Sequence, residues 1–240
     1  MSVDVSTKEA PTPFSGLATY FSIPFSPTAA FERLNRVPTW GWAAIIGIIL
    51  TLVGFILLSP AQMHMTAVIT QQRISEMPAD QQAQARASMA SVANISKIFI
   101  YIVALLIPWF TWLISAVVFL IGAALGGGEA KFSRAWVLAV NTYVIVGIAF
   151  VINGIIMAFR DPTTVNSQID IMALPSLALL VHGNVKLAAF LYSFNVLYLW
   201  YAVVAIIGME RYLKVSRTVA IATVIIYNLL SALLGMASAR

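Results

Sequence analysis

Five stretches of the chain carry no formal charge and are apolar on every side, and short polar segments separate them. The first lies between Arg36 and Arg73, with its apolar part at about 40–59. The others are IFIYIVALLIPWFTWLISAVVFLIGAAL at 98–125, AWVLAVNTYVIVGIAFVINGIIMAF at 135–159, LAAFLYSFNVLYLWYAVVAIIGM at 187–209, and a stretch at about 218–238 ending in ATVIIYNLLSALLGMASA. A helix needs roughly 20 apolar residues to cross a hydrocarbon core of about 30 Å. Barrel strands alternate apolar and polar residues, and these windows do not. The pattern predicts an all-α polytopic membrane protein with a five-helix transmembrane bundle over 38–238. A sixth apolar window, Ile171 to Val185, contains Pro175, His182 and Gly183 and is only 15 residues long. It reads as an interfacial or re-entrant piece. The alternative, a sixth crossing joined to the fourth, would place Lys186 inside the membrane at considerable cost.

The segments between the windows have their own patterns. Residues 1–13 are polar, with Pro11 and Pro13, and read as a disordered tail. Residues 14–37 are rich in aromatics. There Ser26 and Pro27 make a helix start, after which Pro27, Ala30, Phe31 and Leu34 share one face and Glu32, Arg33 and Arg36 the other. That predicts an interfacial helix at the headgroup level, or a pre-span helix packed on the bundle. Residues 61–96 are rich in Ala, Gln and Met, which favour helix. They predict a helical outer hairpin turning at Pro78, with each arm projecting roughly 25 Å. Ala79, Ala83, Ala87, Ala90 and Ala93 form a small-residue stripe on its second arm. The hairpin is therefore a candidate docking element for a partner.

Composition narrows the class further. The 240 residues are 60% hydrophobic and only 10% charged. A soluble domain of this size averages about 25% charged residues, so a soluble enzyme and a disordered regulator are excluded. The absence of Cys removes disulfide frameworks, thiol catalysis and Cys-based metal sites. The net charge of +5 fits membrane-flanking residues better than a nucleic-acid surface. Lys131, Arg134, Arg211, Lys214 and Arg217 cluster in short loops beside spans. The positive-inside bias then predicts a cytoplasmic N-terminus and an external C-terminus. The start, MSVDVSTKEAPTP, lacks the apolar core of a cleavable signal.

Candidate chemistry is sparse. His64 and His182 are the only histidines, in different loops, so no metal or other cofactor is expected. GGGEAKFSR follows a membrane helix and lacks the GK[ST] ending of a phosphate loop. With no charge inside any window, a proton-coupled transporter is disfavoured. The intramembrane polar set is Asn141, Thr142, Asn153, Asn195 and Asn228, with Tyr143, Tyr192, Tyr198 and Tyr227. Such amides serve as interhelical glue or line a polar path. Asn195 and Trp200 are expected inside the bundle or against a partner. Ala139, Tyr143, Gly147, Gly154 and Ala158 lie near one face of the third span. Gly122 with Gly126, and Ser231 with Gly235, add small-residue pairs that permit close helix approach.

The order FSPTAAFERL, MPADQQAQARASM, GGGEAKFSRAW, LYSFNVLYLW and GMERYLKVSRTVAIA resembles the Yip1-domain family, in its bacterial five-span version. The likeness covers most of the chain from about 20 to 235. Related sequences often carry an acid at the position of Asn195 and an aromatic at Leu197, with Trp kept at Trp200. The resemblance implies a helical membrane domain with a cytoplasmic N-terminus, in a bacterial inner membrane. It also implies an accessory or assembly role beside other membrane proteins, an ABC-type exporter permease or adaptor among them. The leading expectation is thus a non-enzymatic accessory protein in lipid, with a homo-oligomer as an open alternative. The rival is a small transporter or lipid-handling protein, which a polar cavity lined by Asn141, Asn153 and Asn195 would favour over a dry, fully packed bundle.

Overall fold

A computed structural model describes residues 15–181 and 183–239; at 15, 88–98 and 100 it describes the backbone alone. Among the described residues the chain is helical, with no named strand. Two short helices, α1 (Ser15–Ser22) and α2 (Pro27–Arg36), lead into α3 (Gly41–Ser75) and α4 (Ala79–Leu125). The third passage is α5 (Phe132–Thr142) and α6 (Val144–Ala158), parted only by Tyr143. Then come α7 (Val185–Tyr192), α8 (Val196–Tyr212) and α9 (Arg217–Ser238). The expected tail 1–13 lies outside the described residues.

Among the described residues, four helices are long and apolar enough to cross a membrane: Gly41–Ser75, Tyr101–Leu125, Phe132–Ala158 and Arg217–Ser238. The third is 67% buried against 28–39% for the rest, so it is the centre of the bundle. Small residues account for its close contacts. A Cβ on Gly54 of α3 would come within 2.8 Å of the Phe150 backbone on α6. One on Gly154 would come within 2.8 Å of the Gly54 carbonyl. Gly147 faces Leu50 in the same seam. Gly122 and Gly126 on α4 face Thr223 and Val219 on α9. With no hydrophobic effect between helices in lipid, such backbone proximity supplies the dispersion contacts that hold them.

The expected continuous span at 187–209 is broken. Helix α7 ends at Tyr192, and α8, of 17 residues, starts at Val196. The physical reason is Asn195. Its side-chain Oδ1 accepts from the Leu197 and Tyr198 amides, and its Nδ2 donates to the Tyr192 carbonyl. An Asn side chain that competes for backbone groups favours a helix start over a helix interior. A bridge between Ser176 and Asn195 pairs the broken backbone with the 160–184 connection. The window 171–185 contributes a 3-10 turn, Leu177–Leu180, that packs on α7.

The two ends of the bundle differ. At one end, the N-terminal face, Asn35 of α2 donates to the Arg211 carbonyl at the end of α8. Ala30, Phe31 and Leu34 are buried there, with Phe31 against Gly208. The apolar face of α2 thus packs on protein, an arrangement compatible with a place at the headgroup level. At the other end, the hairpin face, Ser238 shares a recess with Met65, Ile69 and Arg73 of α3. Helices α3 and α4, at 35 and 47 residues, continue past the bundle here and turn at Pro78, the N-cap position of α4. Pro lacks an amide proton and suits a helix start.

Candidate functional site

In the hairpin-side half of the bundle the helices part around a cavity of about 300 Å³. The break between α7 and α8 places Tyr192, Ser193 and Tyr198 on its wall. Helix α9 adds Tyr227, Asn228 and Ser231, α4 adds Ile107 and Thr111, and α6 adds Val146 and Phe150. Helices α4 and α9 are joined nearer the N-terminal face, by Gly126 with Val219, Gly122 with Thr223, and Phe119 with Tyr227. Beyond the 2.9 Å approach of Ser115 Oγ to the Tyr227 hydroxyl, they face one another across the cavity.

The floor is a group of hydroxyls. The Tyr201 hydroxyl lies within hydrogen-bonding reach of Tyr227 beside it on the cavity wall and of Ser115 and Thr142 behind, and Ser115 donates to Tyr227. Thr142 Oγ1 donates to the Leu138 carbonyl at 2.9 Å. Nearby, Tyr143 and Thr51 share a hydrogen bond of 3.0 Å between α5–α6 and α3. On the roof side, behind Tyr192 and not itself lining the cavity, the Asn153 carboxamide accepts from the Tyr192 hydroxyl at 3.2 Å and from the Ala173 amide at 2.9 Å, and it donates to the Ile171 carbonyl. Asn153 therefore ties α6 to α7 and to the 160–184 connection. By contrast, the Tyr198 hydroxyl, the Asn228 amide and the Ser231 hydroxyl make no hydrogen bond among the described residues. Asn228 and Tyr198 are half-buried and Ser231 is exposed, so their polar atoms remain available to a group that enters the cavity.

The connection over the roof is pinned by carboxylates. Asp161 accepts from the Thr163 amide and hydroxyl, which hold its carboxyl below the usual range. For Asp170 partial burial pushes the other way. It is outweighed by hydrogen bonds from the Ser167 hydroxyl and the Ser167 and Asn166 amides, with the Arg160 charge adding to them. A second recess, next to the roof, is lined by Arg73, Glu76, Asn166 and Ser167 and shares Gln168 and Ser238 with the cavity.

The other polar residues singled out in the sequence lie apart. Asn141 is buried near the N-terminal face, where its amide donates to the Thr39 and Val137 carbonyls. Asn195 is buried as the cap of α8 and does not line the cavity. Trp200 is 41% exposed on α8, so of the two places expected for it, inside the bundle or against a partner, it does not take the first within this chain. Among the basic residues, Lys131, Arg211, Lys214 and Arg217 are exposed. Arg134 is not a free surface charge. It pairs with Glu129 at 3.1 Å, donates to Asn35 Oδ1 and the Tyr212 carbonyl, and stacks on the Tyr212 ring. It thereby ties α2, α5 and α8 together. On the hairpin, Ala83 and Ala87 are exposed, while the side chain of Ala90 lies outside the described residues. The polar cavity members that sequence reading missed are Thr111, Gln168, Ser193, Tyr201 and Ser238, and Ser231 was read only as a packing residue. A Tyr201 signal existed in its run with Tyr192 and Tyr198, but an apolar neighbourhood hid it. No three His, Cys, Asp or Glu gather to hold a metal ion among the described residues.

A family profile described as the Yip1 domain matches residues 21–239, nearly the whole described bundle. The chain belongs to the Yip1 family. No curated protein and no solved structure matches it. For this Yip1-domain protein the match takes in α2 through α9, so the Arg134 tie, the broken fourth passage and the cavity all lie within the family's own domain.

Proposed function

We propose that this integral membrane protein is a non-catalytic, lipid-handling member of the Yip1 family that holds the polar end of a membrane-dissolved amphiphile in its hairpin-side cavity. One observation carries the reading: an unbonded amide and two unbonded hydroxyls, on Asn228, Tyr198 and Ser231, line a space of about 300 Å³ between apolar helices. That volume is at the low end for ligand sites and suits one head group. The parting of α4 from α9 gives the hydrocarbon chain a way out to the bilayer. In this reading the chain passes the membrane five times, with α8 as the fourth passage. The N-terminus lies in the cytoplasm of a bacterial cell, and exposed Lys131, Arg211, Lys214 and Arg217 meet anionic headgroups. The test is native mass spectrometry of the full chain released from its own membrane. Ser231→Trp, which fills the cavity, should abolish a retained lipid that Trp200→Leu leaves in place. Equal retention by both variants would overturn the reading.

A second reading has its own support. The arms of α3 and α4 beyond the bundle carry mainly exposed side chains where they are described, Ala83 and Ala87 among them. A hairpin so little covered suits docking on another membrane protein, with this chain as an accessory subunit. An ABC-type exporter as that partner follows from family analogy alone. Shortening both arms by two turns around Pro78 should lower recovery of a native partner. Full recovery would remove the hairpin from the account.

A further inference from the structure

We infer that the cavity takes an uncharged, hydroxyl-bearing head group, a sugar or glycerol, and rejects phosphate and ammonium heads. The inference rests on the reading of this cavity as an amphiphile site and adds its selectivity.

Charge is the first argument. None of the described residues lining the cavity is Asp, Glu, Lys, Arg or His. Arg73 and Glu76 line the neighbouring recess, which shares Gln168 and Ser238 with the cavity, and Asp170, between Gln168 and Met172 in the chain, spends its carboxylate on Asn166 and Ser167. An ion in the cavity would lose its water without gaining a counter-charge, which is expensive in a low-dielectric interior. A helix N-terminus can replace a cation for an anionic ligand. Here that role is already taken, because Asn195 Oδ1 accepts from the Leu197 and Tyr198 amides, each at 3.0 Å.

Hydrogen-bonding character is the second. Phosphate oxygens only accept, and an ammonium only donates. The Asn228 amide does both, as do the hydroxyls of Tyr198 and Ser231. A polyol matches such a set, since each of its hydroxyls also does both. Shape is the third. The rings of Tyr192 and Tyr198 meet edge to face at 6.4 Å, and those of Tyr201 and Tyr227 lie 5.9 Å apart. All four line the cavity, so aromatic surface is available for the C–H faces of a sugar ring.

The experiment uses the full chain in nanodiscs. Three lipids with the same acyl chains are present in equal small amounts: a monoglycosyl diacylglycerol, phosphatidylglycerol and phosphatidylethanolamine. Native mass spectrometry then reads which lipid stays bound. The glycolipid should be retained about tenfold over either charged lipid. Asn228→Leu and Tyr198→Phe should each lower that retention about tenfold, the loss expected for one or two hydrogen bonds. Tyr198→Phe keeps the ring, so it still tests the inference if Asn228→Leu fails to fold. Phosphatidylglycerol retained equally, and lost equally in the two variants, would overturn the selectivity while leaving the amphiphile site. Retention of every lipid that neither variant changes would overturn both. A free methyl glycoside that displaces the glycolipid through the same residues supports the head-group chemistry. The same glycoside bound where the glycolipid is not would overturn the lipid source.

Discussion

At Gly54 a hydrogen atom stands where any other residue would put carbon within 2.8 Å of the Phe150 backbone. The facing helix is as tight, since a Cβ on Gly154 would come within 2.8 Å of the Gly54 carbonyl. Gly54→Ala should therefore destabilise the protein by about 1–3 kcal/mol, as overpacking does. Gly41→Ala, whose added Cβ meets nothing within 4 Å, should leave stability unchanged or raise it. Thermal unfolding of the two variants in one detergent checks the contrast. Lys214 is the opposite kind of residue, a side chain where glycine would fit. Its φ of 58° lies in the left-handed region. That conformation costs a non-glycine residue about 1–2 kcal/mol, and glycine's extra unfolded freedom returns about 0.5–1 of it. Lys214→Gly should thus raise the melting temperature, by a net of about 0.5–1 kcal/mol. A lower melting temperature would mean that the lysine side chain contributes more than its backbone strain.

Among the elements, the broken fourth passage decides most. Hydropathy read 187–209 as one helix, since Ser193 and Asn195 are too few to lower the mean of so apolar a window. What the average hides is that one asparagine can supply a helix cap and a tie to the preceding helix together. Losing such a cap costs about 1–2 kcal/mol. Asn195→Ala should accordingly lower thermal stability by that amount and speed amide exchange at Leu197 and Tyr198. Asn195→Ser, which keeps a capping oxygen, should recover much of both. If Asn195→Ala left exchange at those two amides unchanged, the cap would not be what starts α8. The small-residue pairs were legible in the sequence as close-packing signals. Their partners were not, because Gly122 and Gly126 suit a neighbour in the same chain or another equally well, and only the fold sets them on Thr223 and Val219.

For the molecule as a whole, the 160–184 connection closes the cavity, and its hold depends on pH. Asp161 and Asp170 titrate below their ordinary range in the folded loop, for the hydrogen-bond reasons given above. A carboxyl lowered in the folded state contributes stability that is fully present above its unfolded value and is lost as pH falls through the folded one. The loop should therefore stay closed at neutral pH and loosen at acid pH, once pH falls below the usual carboxylate range. Hydrogen exchange across 161–173, corrected for its intrinsic rate, should accelerate there while α5 and α6 remain protected. Asp170→Asn should remove most of the pH dependence. Loosening that persisted in Asp170→Asn and Asp161→Asn alike would locate the acid sensitivity elsewhere.

Local residue chemistry by itself determined the solvent, the helical class, the hairpin turn at Pro78 and the polar set available for a site. Each depends on residues near one another in the chain: an unbroken run of apolar side chains, a proline without an amide proton, an asparagine among leucines. The tertiary structure decided what those polar groups do. Asn141 and Asn153 spend their amides on backbone carbonyls, Asn195 on a helix start, and Asn228 on the cavity. Arg134 became a half-buried tie between three helices instead of a free surface charge. No pattern along the chain separates these fates, because an amide is satisfied by whatever backbone the packing brings within about 3 Å of it, and that backbone comes from helices far away in sequence.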